Sequence, residues 1–414
     1  MSRVIVTSLA PNTQSDDVWL ALRLICSPWK WGRGSSAQNL EKSLCEFLPT
    51  AHAFSFDSGR TCLLTLLASL GLQKDDEVLV QAFTCVAVPG PVLWAEMKPV
   101  YVDCDLITYG MDPEDLEQKI TSKSKVLIIQ HTLGRPAQIE RLVEIAKRHR
   151  IIVIEDCAHA LGASVNGKHV GTFGDAAFFS FGRDKVISSV FGGMLVTSSD
   201  DLAKKIQERS RSYPYPRSGW ILQQLLHLVI ATAARETYGF GITGKVIIEM
   251  AKRLHLVSKA VLPVERQGGR PPFVGKRYAN APASLAMHQF KKLNTFTVHR
   301  MKIAKIYEQA FLSAGLSSAE RWTDGMVPLR YSIRVKNRRA ILKAARASGC
   351  ILGDWYTVPI APEGVSYEKI GYRQGSCPNA ETLATEIVNL PTHVGVSEND
   401  AKRLISVLIP LLRG

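Results

Sequence analysis

The sequence lacks the cysteine patterns that indicate a disulfide framework or a zinc ribbon. Its eight cysteines are scattered over 414 residues, and none belongs to a CxxC pair. It also lacks any run close to the roughly 20 apolar residues that cross a bilayer. The apolar stretch over residues 1–6 does not have the features of a signal peptide. We therefore expect reduced thiols and a cytoplasmic protein.

The charge is concentrated in one part of the chain. The composition is ordinary for a globular protein, with 46% hydrophobic and 21% charged residues, and the length allows a large core and a second, smaller domain. The net charge is +14, but residues 201–310 hold 19 Lys or Arg against 6 Asp or Glu. This distribution argues against a general nucleic-acid binder and leaves one basic region to explain.

Apolar segments of strand length alternate with helical stretches from about Phe54 onward. Continuous apolar strands in such an alternation predict an α/β fold with a mostly parallel sheet, covered on both faces. Ligands of these sheets bind beyond the carboxyl ends of the strands. The predicted strands are 77–81, 99–103, 126–130, 151–155, 176–181 and 193–197, and helices are predicted over 18–24, 38–48, 61–70 and 139–149.

The pattern changes after about residue 210. Helices are predicted over 220–234 and 246–257, followed by one long helix over 283–311 and a C-terminal helix over 398–412. The predicted division is an N-terminal arm and large domain (1–210), a basic and apolar helical insert (211–272), a helix linking the domains (273–330) and a small C-terminal α+β domain (331–414).

An aspartate and a lysine stand at the ends of two predicted strands. Asp156 follows the strand 151–155, and Lys185 lies just beyond the strand 176–181. This spacing fits a pyridoxal phosphate (PLP) site, where a lysine amine bonds to the cofactor and a carboxylate keeps the pyridinium nitrogen protonated. The same spacing occurs in α/β proteins without PLP, so by itself it leaves both interpretations open.

Further motifs occur in the order typical of one family. The chain resembles the DegT/DnrJ/EryC1/StrS aminotransferases, which are PLP-dependent sugar aminotransferases of fold type I, over nearly its whole length apart from about 211–272. The motifs that carry the resemblance are Ser58-Gly59-Arg60-Thr61, residues 82–87 followed by 98–103, residues 131–134, residues 155–160, residues 171–175 leading to 179–181 and Lys185, residues 192–194, and residues 390–393.

The resemblance implies a homodimer that moves an amino group from an amino acid, expected to be glutamate, to a keto-sugar, expected to be nucleotide-linked. The pathway would be surface polysaccharide, lipopolysaccharide or amino-sugar biosynthesis. Lys185 would bond PLP and act as the acid and base, while Asp156 would pair with the pyridinium nitrogen. The remaining implied cofactor contacts are His159 near the 3′ oxygen, Ser180, Gly59, Arg60 and Thr61 at the phosphate, and Cys85 at the ring. No metal is implied.

Several positions depart from the family pattern. Arg60 replaces a threonine, Cys85 replaces a ring-stacking aromatic residue, 190–191 replace Gly-Glu, and Gly275 replaces an asparagine that reaches the partner's phosphate. These changes leave a non-catalytic regulator or scaffold open as an alternative. A sugar dehydratase is a second alternative, although dehydratases of this family carry histidine at the position of Lys185.

The basic insert allows three interpretations. Its helices could extend the dimer interface or cover the site, they could lie on an anionic membrane at the inner face, or their arginines could bind the phosphates of a nucleotide-sugar. The first is a structural role, and the other two are functions of the insert itself.

Overall fold

The computed structural model describes residues 4–316 and 321–413. The strands are β1 (Ile5–Val6), β2 (His52–Phe56), β3 (Glu77–Gln81), β4 (Thr84–Cys85), β5 (Lys98–Val102), β6 (Ser124–Gln130), β7 (Ile152–Asp156), β8 (Ser164–Val165), β9 (Lys168–His169), β10 (Ala176–Ser180), β11 (Gly193–Thr197), β12 (Arg330–Arg334), β13 (Cys350–Ile351), β14 (Ile360–Ala361) and β15 (Ile387–Pro391). The helices are α1 (Ser15–Ile25), α2 (Ser36–Phe47), α3 (Gly59–Ser69), α4 (Pro89–Trp94), α5 (Pro113–Lys119), α6 (Ile139–Arg148), α7 (Asp200–Ser210), α8 (Ser218–Glu236), α9 (Thr243–Arg253), α10 (Pro263–Arg266), α11 (Asn280–Phe290), α12 (Leu293–Ser313), α13 (Arg338–Ala347), α14 (Pro378–Glu386) and α15 (Glu398–Arg413).

Seven strands form the central sheet, in the order β2-β11-β10-β7-β6-β3-β5. The five strands from β10 to β5 run parallel, and β11 runs antiparallel to both of its neighbours. β3 and β11 are buried along their whole length, as expected of strands covered on both faces. The predicted α/β fold with a mostly parallel sheet is therefore confirmed. Sequence reasoning missed the edge strand β2, whose residues are mostly half-buried.

One edge of this sheet gathers the ends of several strands. β6 ends at Gln130, β7 at Asp156 and β10 at Ser180. Because these strands are parallel, their carboxyl ends share one edge. β11 runs the other way, so its first residue, Gly193, lies at that edge as well. Residues from distant motifs therefore converge where ligands of α/β sheets bind.

The prediction of one helix over 283–311 was wrong. The structure has two helices, α11 and α12, with a break at Lys291 and Lys292. The Lys292 amide bonds to the Gln289 carbonyl oxygen at 2.9 Å, a tighter turn than an α-helix makes. The helix predicted over 246–257 is also shorter, since α9 ends at Arg253 and His255 takes a positive φ of 55°.

The N-terminal helices and the insert pack together. α8 buries Ile221, Leu225 and Leu228 in a hydrophobic cluster that also contains Ala21 and Leu24 of α1. The described part of the N-terminal arm therefore packs on the insert through α1; residues 1–3 lie outside the described residues. Across 4–316 and 321–413, no helix has the length and apolar character to cross a membrane.

Candidate active site

A cavity of about 360 Å³ opens at the carboxyl edge of the sheet. Most of the residues predicted for the site line it. These are Gly59, Arg60, Cys85, Asp156, His159, Ser180 and Lys185. Thr61 is buried and does not line the cavity.

The start of α3 and the end of β10 form one wall. A Cβ atom on Gly59 would lie 3.4 Å from the Cβ of Ser180, so the serine side chain sits against the first turn of the helix. The start of α3 also lies close to β11, because Gly193 has no side chain: a Cβ atom there would come within 2.6 Å of the Gly59 nitrogen. Free amides and the dipole at a helix N-terminus favour a phosphate dianion. This wall can therefore hold a phosphate between the helix and the Ser180 hydroxyl.

The buried carboxyl group of Asp57 stabilises the first turn of α3. The hydroxyls of Ser58 and Thr61 donate to Asp57 at 2.7 and 2.6 Å, and the Lys276 amide donates at 2.8 Å. Burial raises the pKa of Asp57 to about 7, although these hydrogen bonds act to lower it. The Thr61 hydroxyl is committed to Asp57, so its side chain shapes the turn and does not face the cavity.

Asp156 and Lys185 face the cavity from the ends of β7 and β10. Asp156 is buried and accepts a hydrogen bond from the Ala158 amide at 3.0 Å. Burial raises the pKa of Asp156, against that bond and the charge of Lys185. A cationic ring nitrogen would oppose this rise in the pKa of Asp156, because an opposite charge favours the carboxylate.

The Lys185 amine has a lowered pKa, which favours its neutral form. Burial lowers the pKa of Lys185 to about 8, while Asp156 opposes the change. At pH 7 roughly a tenth of such amines are neutral, far more than for a lysine with a pKa near 10.4. The backbone is fixed as well, since the Asn12 side chain donates to the carbonyl oxygens of Lys185 and Val186 at 2.6 and 2.8 Å. A neutral, positioned amine is what a nucleophilic lysine needs.

His159 is a neutral hydrogen-bonding residue in this cavity. Burial and the charges of Lys185 and Arg330 lower its pKa well below the ordinary value. Its Nδ1 accepts from the Leu133 amide at 3.3 Å, so the ring proton is on Nε2. That nitrogen lies 3.5 Å from the Tyr356 hydroxyl and can donate to it or to a ligand oxygen.

Aromatic residues that sequence reasoning missed line the other side. Trp355 stacks on His159 with ring centroids 5.5 Å apart and an angle of 18°. The Lys185 amine lies 5.5 Å from the Trp355 ring centroid, and the Arg330 guanidinium lies 3.6 Å from the same centroid. Cys85 contributes to the wall without an aromatic ring. No local motif marks Trp355, which belongs to the C-terminal part of the chain and meets the other lining residues only in the folded structure.

A segment of the insert, residues 258–261, lies over the cavity. Arg183 donates to the Ser258 carbonyl oxygen at 2.7 Å and to its hydroxyl at 3.0 Å. Arg60 donates to the Ala260 carbonyl oxygen at 2.7 Å and pairs with Glu265 at 2.5 Å. Arg60 therefore points at the covering segment, and its charge is balanced by a buried carboxylate.

Gly275 is fixed by its backbone. It has a φ of 90°, and a Cβ atom there would lie 2.4 Å from Nη2 of Arg270. Its amide donates to the Thr61 hydroxyl at 3.0 Å. Glycine adopts this positive φ readily, and because it has no side chain, nothing extends from this position as an asparagine would.

Glu155, next to Asp156, has a structural role. It accepts from the amides of Gly171, Phe173 and Gly174 at 2.7 to 2.9 Å, and from His131 at 3.1 Å. Burial opposes its ionisation, but His131 and these amides hold the pKa of Glu155 below its ordinary value. Glu155 therefore ties the loop between β9 and β10 to the end of β7.

The fold is that of the type I PLP-dependent transferases, and the match to a family model identifies the chain as an aminotransferase. The model of the DegT/DnrJ/EryC1/StrS aminotransferase family matches residues 15–217 and 247–409. The chain therefore belongs to that family, as its motifs indicated.

Similar proteins cover nearly the whole chain. A GDP-perosamine synthase from Caulobacter vibrioides is 32% identical over 422 residues, with 98% of each chain covered. A UDP-N-acetyl-3-dehydro-alpha-D-glucosamine 3-aminotransferase from Acidithiobacillus ferrooxidans is 27% identical, covering 92% of this chain and 90% of its own. The solved structure of DesV from S. venezuelae is 22% identical, with a TM-score of 0.76 and 100% of both chains covered. That structural match supports the fold.

Proposed function

We propose that this enzyme uses PLP to transfer an amino group from an amino acid, with glutamate the expected donor, to a nucleotide-linked keto-sugar. The carrying observation is the Lys185 amine in a cavity that also holds the Asp156 carboxylate and a helix N-terminus. The names of two relatives support the substrate class: one contains a GDP-linked sugar, and the other a UDP-linked 3-dehydro sugar. Surface polysaccharide, lipopolysaccharide or amino-sugar biosynthesis is the proposed setting.

The residues of the cavity fit the cofactor. The first turn of α3 and the Ser180 hydroxyl would hold the phosphate, Asp156 the ring nitrogen and the Nε2 proton of His159 the 3′ oxygen. Trp355 and Cys85 would bound the ring space. The raised pKa of Asp156 supports this assignment, because its burial disfavours the anion until a cation faces it. When bound, PLP supplies the electron sink and carries the amine between the two substrates.

Lys185 has two roles in this proposal. Its amine would hold the cofactor at rest, and it would then act as the base and acid that removes a proton from the substrate carbon or returns one to it. In the first half, the α-carbon of the amino acid would lose its proton, and a water molecule would supply the carbonyl oxygen as the donor leaves as a 2-oxo acid. In the second half, the sugar carbonyl carbon receives the amine and a proton, and its oxygen leaves as water. Closure by 258–261 would exclude bulk water during both halves.

Lys185 favours the aminotransferase over the two alternatives. A dehydratase of this family would carry histidine at this position, and a scaffold would not need an amine with a lowered pKa inside a cavity. The proposed homodimer differs in detail from the family pattern, since Gly275 offers no side chain to a partner's phosphate. The domain division at about 210, 272 and 330 is also part of the proposal.

The cofactor experiment uses purified full-length protein with added PLP. We expect a visible-edge absorbance band, which is lost in Lys185→Ala and kept in the exposed-lysine control Lys205→Ala. Glutamate should convert the wild-type band and release 2-oxoglutarate, and a UDP- or GDP-linked keto-sugar should restore the band. A protein that shows no band with PLP would refute the enzyme assignment.

A further inference from the structure

α9 presents a row of apolar side chains to the solvent. Ile242, just before the helix, and Val246, Met250 and Leu254 follow one another at intervals of four residues, with exposures of 70%, 41%, 56% and 63%. Side chains at this interval lie on one face of a helix. Phe240 in the preceding turn is 67% exposed. Of the twelve large apolar side chains that are exposed among the described residues, these five lie within 15 consecutive positions.

The opposite face of α9 is occupied. Gly244 and Ala251 are buried, and a Cβ atom on Gly244 would come within 2.3 Å of the Ala234 carbonyl oxygen of α8. The two helices therefore pack closely, and α8 in turn buries Leu225 and Leu228 in the core. This packing holds the apolar row outward, because rotating α9 would force a side chain into the space that Gly244 leaves.

Positive charges lie beside the row. Lys245, Lys252 and Arg253 are exposed, and Glu249 is the one acidic residue in α9. Across 218–262 there are five Lys or Arg and two Asp or Glu. A helix with an apolar face beside basic residues has the composition of helices that lie in the interface of anionic bilayers.

The row begins outside the segments that the family model matches, although Met250 and Leu254 lie inside the second one. The family model matches 15–217 and 247–409, so α8 and the first turn of α9 fall outside the matched segments. α9 itself is not among the residues that line the cavity. A second copy docked through the same face would bring its own Lys245, Lys252 and Arg253 against these charges, which disfavours a symmetric contact.

We infer that residues 240–254 form a docking surface for an anionic lipid bilayer. α9 would lie along the membrane plane, with its apolar row at the level of the headgroups and its lysines on lipid phosphates. α8 would connect this surface to the covering segment, since Gln224 accepts a hydrogen bond from the Ser258 hydroxyl at 2.8 Å and Gln223 donates to the His255 carbonyl oxygen at 2.7 Å.

Sedimentation with vesicles tests the inference on the full-length protein. We expect wild type to pellet with vesicles of phosphatidylcholine and phosphatidylglycerol, and much less with phosphatidylcholine alone. The double variant Val246→Glu/Met250→Glu should lose roughly tenfold or more in partitioning, because it puts two carboxylates on the face that enters the interface. The control Ile107→Glu changes a side chain that is 77% exposed elsewhere and should bind like wild type.

A second variant separates charge from apolar contact. Lys245→Glu/Lys252→Glu keeps the apolar row and should reduce binding to anionic vesicles to the level seen with neutral ones. Light scattering on all variants should show an unchanged mass in solution. The inference is overturned if wild type does not bind anionic vesicles, if it binds neutral vesicles equally, if Ile107→Glu loses as much, or if Val246→Glu/Met250→Glu changes the mass, which would make the face a contact between copies.

Discussion

The cavity has a floor and a cover, and the residues of each come from different parts of the chain. The floor consists of Asp156, Ser180 and Lys185 with the first turn of α3, all at the ends of strands in one sheet. The cover consists of 258–261, which belong to the insert, and the pair Trp355 and Tyr356 from the C-terminal part. In the proposed function, the floor would supply the reacting groups, whereas the cover would control the entry of substrates and the exclusion of water from Lys185. Variants in the two regions should therefore change different measured quantities.

The largest effect is expected in the floor. Asp156→Asn replaces a carboxylate with a neutral amide that cannot hold a ring cation, so kcat should fall roughly 10²–10³-fold, the usual cost of losing one preorganised electrostatic partner. Steady-state kinetics with glutamate and a keto-sugar nucleotide measures it. The control Asp201→Asn alters an exposed aspartate in α7 and should leave kcat unchanged. An Asp156→Asn enzyme with nearly wild-type kcat would contradict the assignment of this residue.

The floor was largely predictable because its residues follow local rules. A strand pattern that ends in Asp156 and another that leads to Lys185 place both side chains at one sheet edge once the sheet is parallel. Gly59 and Ser180 followed from motifs at the same edge. Thr61 differs from these, because its backbone amide, which the resemblance placed at the phosphate, donates to the Ser58 hydroxyl oxygen at 3.3 Å and the residue does not line the cavity.

The cover could not be predicted in this way. Arg60 and Glu265, or His159 and Trp355, are about 200 residues apart in the sequence and meet through tertiary packing. Neither pair has a spacing that periodicity could detect. The break between α11 and α12 was missed for a related reason, because both lysines at the break are good helix formers and the turn depends on how the two helices pack.

A smaller effect, and a different one, is expected in the cover. Arg183→Ala removes two hydrogen bonds to Ser258, each of which contributes about 1.5–3 kcal/mol when the donor is charged. We expect KM for the keto-sugar to rise roughly tenfold or more, with kcat changed by less than about threefold, because the reacting groups stay in place. A matched change of the exposed Arg209 to alanine should alter neither constant. A fall in kcat with unchanged KM would place Arg183 in the floor instead.

The smallest effect is expected in the pH dependence of Lys185. Floor and cover change the pKa of its amine in opposite directions. Burial lowers the pKa of this amine to about 8, whereas Asp156 raises it. The neutral amine is the reactive form, so the rate at which cofactor-free enzyme captures PLP, followed by absorbance, should rise about fivefold from pH 7 to 8 and level off above it. Trp355→Ala admits water beside the amine and should move the midpoint up, while Asp156→Asn removes the opposing anion and should move it down. Trp29→Ala changes a side chain that is 76% exposed and should leave the midpoint in place. Shifts of the same sign in both cavity variants would show that floor and cover do not act on Lys185 in these opposite ways.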